Sequence, residues 1–126
     1  MLGENSVMAT LAVTDLEAAR TFYGDTLGLK LSHEDEGGIT YESGDSRLFV
    51  YSSDFAGTNR ATAATWQVDD VDELARSLKD KGVAFEHFEM PQIAWEGDVA
   101  VMGGWRSAWF KDPTGNILAI GSRSKH

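Results

Sequence analysis

Val13-Thr14-Asp15-Leu16-Glu17-Ala18-Ala19-Arg20 recurs 55 residues on as Val68-Asp69-Asp70-Val71-Asp72-Glu73-Leu74-Ala75. In each copy an apolar, β-branched run leads to an Asp whose carboxylate suits the free N–H groups of a helix start. A Gly-led strand follows each helix pattern: Gly28-Leu29-Lys30-Leu31 and Gly82-Val83-Ala84-Phe85. A period near 55 residues marks two copies of one supersecondary unit and predicts a site between the halves.

Working outward, residues 7–13 read as a strand, and Asp15 caps a helix running to about Thr26. Leu16, Ala19, Phe22, Tyr23 and Leu27 give that helix its apolar face, and Gly28 ends it. Strands follow at 29–32, 39–43 and 47–52, with turns at Gly37-Gly38 and Gly44-Asp45. The second copy reads as a strand at 61–68, a helix at 70–81 and a strand at 84–88. A long connection, 90–104, contains Pro91 and three glycines and includes a short strand or lid. The closing hairpin, 107–111 and 116–120, turns at Asp112-Pro113-Thr114-Gly115, where Pro fixes φ and Gly takes the left-handed position. The tail, Ser122 to His126, reads as frayed. The expectation is one domain over 1–126: module 1 at about 7–53, a linker at 54–60 and module 2 at about 61–121, each β-α-β-β-β.

The composition, 42% hydrophobic and 25% charged, is that of an ordinary globular chain rather than a disordered one. Without cysteine there is no disulfide, thiolate metal site or cysteine nucleophile. A net charge of −9 argues against nucleic acid, since phosphate contacts need clustered Lys and Arg, and it suits a cationic ligand through long-range attraction. The start, Met1-Leu2-Gly3-Glu4-Asn5-Ser6, lacks the pattern of a secretory signal, and no apolar run reaches the roughly 20 residues that span a bilayer. No membrane partner and a cytoplasmic address are therefore expected.

The run Val13 to Glu17, Phe22-Tyr23, Leu27-Gly28-Leu29, the second Val68-Asp69-Asp70-Val71 and the closing Trp109-Phe110-Lys111-Asp112-Pro113-Thr114-Gly115-Asn116 resemble the vicinal-oxygen-chelate superfamily. That superfamily includes glyoxalase I, extradiol dioxygenases and bleomycin-resistance proteins. The resemblance covers essentially the whole chain and implies an α+β fold, two βαβββ modules forming a cupped mixed sheet around a cleft. It also implies a divalent metal on His, Glu or Gln from the first and last strands of each copy. Those positions map to Met8, Leu48, Ala63 and Ala119, whose side chains offer neither carboxylate oxygen nor imidazole nitrogen. Their immediate sequence neighbours offer none either. No metal and no other cofactor are expected.

Strand alternation from the same positions sends Met8, Thr10, Thr65, Gln67 and Ala119 into the cleft, with Leu48 and Val50 as its floor. The resemblance adds Ser107 and Trp109 ahead of the Asp112 turn, with Trp105 on their face, and Trp95 on the long connection closes over them. Such a lining, apolar and aromatic with a few hydroxyl and amide groups, is that of a small-molecule pocket. The tryptophans also suit core or dimer packing, and both readings stay open. No Ser has a recognisable His partner, so catalytic residues are not assigned, although Glu42, Glu86 or Glu89 would serve as a base if placed in the cleft. The resulting expectation is a homodimeric, metal-free protein of the bleomycin-resistance type that sequesters an aromatic or partly cationic small molecule. The alternative is a glyoxalase-like lyase, isomerase or transferase with changed chemistry.

Overall fold

Asp15 accepts hydrogen bonds from the backbone N–H groups of Glu17 at 2.9 Å and Ala18 at 3.2 Å, and α1 (Leu16–Ala19) begins there as its capping carboxylate requires. The helix then widens into a π-helical stretch, Arg20–Thr26, and Leu27 N–H donates to the carbonyl of Phe22 five residues back. Gly28, at φ +77°, ends it. The computed structural model describes residues 1–89, 91 and 93–123. Two units emerge, Met1–Thr58 with Pro113–Asn116, and Asn59–Asp112 with the chain from Ile117.

In the first unit β1 (Ala9–Val13), β2 (Lys30–Asp35), β3 (Gly38–Ser43) and β4 (Ser46–Ser52) form one sheet in the order β1-β4-β3-β2. β1 runs parallel to β4, and the other pairs are antiparallel. Leu11, Val13, Ile39, Tyr41, Leu48 and Val50 are buried, as are Ala19 and Tyr23 of the helical segment. Burying each of the larger side chains stabilises the fold by about 1.5–3 kcal/mol. Gly38 leaves the backbone no alternative residue: at φ +149°, an added Cβ would stand 2.3 Å from the Val50 carbonyl oxygen.

The turn at residues 113–116 belongs to this first unit, whereas the sequence reading put it in the second copy. The reason is polar. The Asn116 side-chain amide donates to the Ala12 carbonyl at 2.7 Å, and the Thr14 N–H donates to the Thr114 hydroxyl at 3.0 Å. Both bonds satisfy backbone groups at the end of β1 that would otherwise lack a partner.

In the second unit Asp70 caps α2 (Val71–Asp80) by accepting from the N–H of Glu73 at 3.1 Å. Val71, Ala75 and Leu78 are buried where α2 packs on the sheet. The strands are β5 (Thr62–Gln67), β6 (Phe85–Glu86), β7 (Ala94–Glu96), β8 (Val99–Met102), β9 (Trp105–Lys111) and β10 (Ile117–Arg123). Their order is β5-β10-β9-β8-β7, with β6 also on β9 and β5 parallel to β10. The long connection thus holds a complete hairpin, β7 and β8, instead of one short strand or lid. Ser122 and Arg123 lie in β10 rather than in a frayed tail, while residues 124–126 lie outside the described residues. The architecture is α+β with two mixed sheets. Among the described residues no helix is long and apolar enough to cross a membrane.

Candidate functional site

Pairing registers decide which side chains share a face. In the first unit Ala9 pairs with Leu48 and Leu11 with Val50, so Leu48 and Val50 stand with Leu11 and Val13 in the buried core. They are 3% and 0% exposed and form no floor for a ligand, which corrects the expectation from sequence. Thr10 pairs with Phe49 and Ala12 with Tyr51, and those rings stack on the opposite face with centroids 6.0 Å apart. Met8 precedes β1 and is 41% exposed. Phe49 and Tyr51 were missed because apolar residues occupy both parities of 48–51, which hides the alternation.

In the second unit the register joins the other expected residues. Thr65 pairs with Ala119, Ala119 with Trp109, Gln67 with Gly121, and Gly121 with Ser107. Ala100 continues that last row to Trp95, so Trp95 belongs to a strand of the same face rather than to a covering loop. An irregularity between Ile117 and Leu118 leaves Ala63 unpaired and sets Thr62 against Ile117. Thr62 thereby reaches the Trp109 side, and the Trp109 indole N–H donates to its hydroxyl at 3.2 Å. Sequence alternation assigned Ala63 inward and could not register this bulge.

Trp109, only 8% exposed, is the centre of this face. Phe88 meets it edge-on at 5.8 Å between centroids and Trp95 at 6.2 Å, while Ala100, Ile117 and Ala119 complete the cluster. His87 then stacks flat on Trp95 at 4.0 Å with an interplanar angle of 4°. The ring of Trp109 is therefore clasped by its own chain instead of lying open for stacking. Trp105 stands apart, 41% exposed, with the Arg123 guanidinium 5.3 Å from its ring centroid.

Two concavities border the cluster. One of about 230 Å³ is lined by Thr62, Phe88, Trp109 and Ile117 with Arg60 at its edge. The other, about 720 Å³ and more open, is lined by His87, Phe88, Glu89, Ile93 and Trp95. Asp98 supports the His87 side, accepting from Lys79 at 3.2 Å and lying 3.4 Å from His87. Partial burial pushes the Asp98 carboxyl up, but the hydrogen bonds from Lys79 and His87 outweigh it and leave the group below the usual carboxylate range.

The residues at the four positions where the resemblance puts metal ligands do not fit a divalent ion. The position facing with Thr10 on β4 is Phe49 rather than Leu48, and neither can ligate. Among the described residues no three His, Asp or Glu side chains converge as a metal site would require. Of the candidate bases, Glu42 lies 3.9 Å from Lys30 and Glu86 lies 3.6 Å from Lys111, while Glu89 borders the larger concavity.

A family model described as Glyoxalase/Bleomycin resistance protein/Dioxygenase superfamily matches residues 5–120. Among solved structures, a glyoxalase/bleomycin resistance protein/dioxygenase from Alicyclobacillus acidocaldarius is 21% identical, with a TM-score of 0.72 over 96% of this chain and 92% of that one. Lactoylglutathione lyase from Agrobacterium tumefaciens is 21% identical, with a TM-score of 0.69 over 94% and 92%. TnmS3, an antibiotic binding protein from Streptomyces sp. CB03234, is 23% identical, with a TM-score of 0.66 over 95% and 98%. At these identities the likeness is one of fold. No curated protein matches the chain.

Proposed function

Because the chain belongs to the Glyoxalase/Bleomycin resistance protein/Dioxygenase superfamily, while its chelating positions carry no donors, we propose that it binds a small molecule without transforming it. The ligand is aromatic or partly cationic, and it is held on the Trp95 and Trp109 face of the second unit. One observation carries this reading: a clasped aromatic cluster flanked by concavities of about 230 and 720 Å³. The larger falls in the volume range of small-molecule sites. A planar ligand would replace His87 on the face of Trp95 or extend that stack past Phe88, gaining about 0.5–1.5 kcal/mol per aromatic contact beyond area burial. Glu89 at the rim and the net charge of −9 favour a cationic group on the ligand. Thr65, Gln67 and Ser107 would supply the polar contacts of the same face. A metal-free homodimer in the cytoplasm completes the reading.

Titration of tryptophan fluorescence against a panel of planar, amine-bearing antibiotics tests it, with Trp95→Phe and Trp109→Phe beside the parent. Saturable quenching that Trp95→Phe diminishes is expected. Absence of saturable quenching across the panel, or quenching unaffected by both variants, would overturn the site. Elemental analysis of purified protein tests the other half: stoichiometric Ni, Zn, Mn or Fe would restore a lyase- or dioxygenase-like reading. Sedimentation equilibrium reads the dimer.

A further inference from the structure

The opposite side of the same sheet carries a third concavity. Ser122 and Arg106 pair across β10 and β9 in the row next to Gly121 and Ser107, so they face α2 rather than Trp109. With the first turn of α2 they enclose about 330 Å³. One wall is fixed: Arg106 donates through Nε and Nη2 to the two oxygens of Asp72, each at 2.9 Å, and through Nη2 to Glu96 at 3.2 Å. Such a bidentate pair holds its planes rigidly.

The remaining groups are not committed. Arg76 and Asp69 line the concavity and make no hydrogen bond among the described residues, although the Arg76 charge also acts on Asp72 one turn before it. Arg123 borders the concavity, but it pairs with Trp105 in the row of the other face and its guanidinium lies over that ring. Asp70 spends Oδ1 on the cap of α2 and keeps its other oxygen. Ser122 is the telling member. It is 5% exposed, it lines the concavity, and its hydroxyl has no partner among the described residues. That hydroxyl is still reached from the concavity, so a group entering it can bond there.

The signs of the free groups narrow the occupant. A simple anion would meet Asp69 and Asp70, and a simple cation would meet Arg76 and Arg106. A molecule carrying both signs a few bonds apart answers both walls. We propose that this pocket binds a small zwitterion of the α-amino-acid class, its carboxylate on Arg76 and the Ser122 hydroxyl and its ammonium on Asp69 and Asp70. The site is separate from the aromatic face, since none of these residues lines the concavities beside Trp109.

The test is an amide chemical-shift titration of ¹⁵N-labelled full-length protein with the standard L-amino acids, together with propionate, ethylamine and inorganic phosphate. At least one amino acid should shift the amides of 69–76 and 122–123 saturably. Propionate and ethylamine, each with one charge, should bind about tenfold more weakly or worse, as the loss of charge-assisted hydrogen bonds implies. Arg76→Gln and Ser122→Ala should each weaken binding by about tenfold while leaving the melting temperature in place. If no amino acid shifts these amides up to about 10 mM, the proposal fails. Equal binding by propionate or phosphate would make it a plain anion site and overturn it as well.

Discussion

Replacing Trp109 by Ala should be the most damaging change on the aromatic face. A large aromatic side chain buries about 150–250 Å², and Trp109 keeps only 8% of its exposure. At about 25 cal/mol per Å², its burial contributes about 4–6 kcal/mol. Core Trp→Ala changes cost about 3–5 kcal/mol, because the retained Cβ and partial relaxation recover some of that. We expect about 4 kcal/mol, including about 1 kcal/mol for the indole N–H bond to Thr62. Urea denaturation followed by far-ultraviolet circular dichroism measures the loss without relying on the tryptophan signal that the mutation removes. Combining Trp109→Ala with Phe88→Ala in a double-mutant cycle isolates their edge-on contact at 5.8 Å, expected at about 0.5–1.5 kcal/mol. A total loss below about 1 kcal/mol, with no coupling to Phe88, would refute the enclosed cluster. The proposed ligand face beside it would then lack its wall.

Other outcomes follow from single contacts. Gly38→Ala should cost about 2 kcal/mol or more in the same denaturation assay, because its Cβ would stand 2.3 Å from the Val50 carbonyl at φ +149°; an unchanged midpoint would count against that close approach. Tyr41→Phe should be neutral or stabilising by about 1 kcal/mol, since the buried Tyr41 hydroxyl has no hydrogen-bond partner among the described residues; a clear loss would reveal a partner. Arg106→Gln should lower stability near neutral pH by about 1 kcal/mol, a modest figure because the Asp72 side chain is 38% exposed. The hydrogen bonds from Arg106 hold the Asp72 carboxyl below the usual carboxylate range. Its contribution is thus fully present above the unfolded Asp value of about 3.9 and is lost as pH falls through the lower folded value. The gap between parent and variant should close below about pH 4, and a gap independent of pH would refute the assignment.

What the sequence made legible was local. Asp15 and Asp70 announce their helices through the N–H groups they cap, and Gly28 and Gly44, both at positive φ, sit at the breaks expected of them. Thr65, Ser107, Trp109 and Ala119 share a face through the pairing of β5, β10 and β9; the family resemblance, not alternation alone, singled out Ser107, Trp109 and Ala119. The misplacement of Leu48 and Val50 has one physical source. Which parity of β4 faces inward is set by its register against β1, and no motif within 46–52 encodes that pairing. The hairpin of β7 and β8 escaped notice because Gly and Pro punctuate it so densely that its strands are three and four residues long. The clasping of Trp109 depends on Phe88, Ile93 and Met102, which are brought together by pairing across long sequence distances. The expectation about His126 lies outside the described residues.

The capture of residues 113–116 by the first unit bears on how the chain is made. A ribosome delivers β1 early, yet the amide that closes the Ala12 carbonyl arrives 104 residues later with Asn116. The first copy is thus completed only after almost the whole second copy has emerged. Contacts of such long separation form slowly, since the loop entropy must be spent before they reward it. An isolated fragment of the first 58 residues would carry an unfinished strand end, and splitting the gene between the two copies would not release two self-sufficient halves.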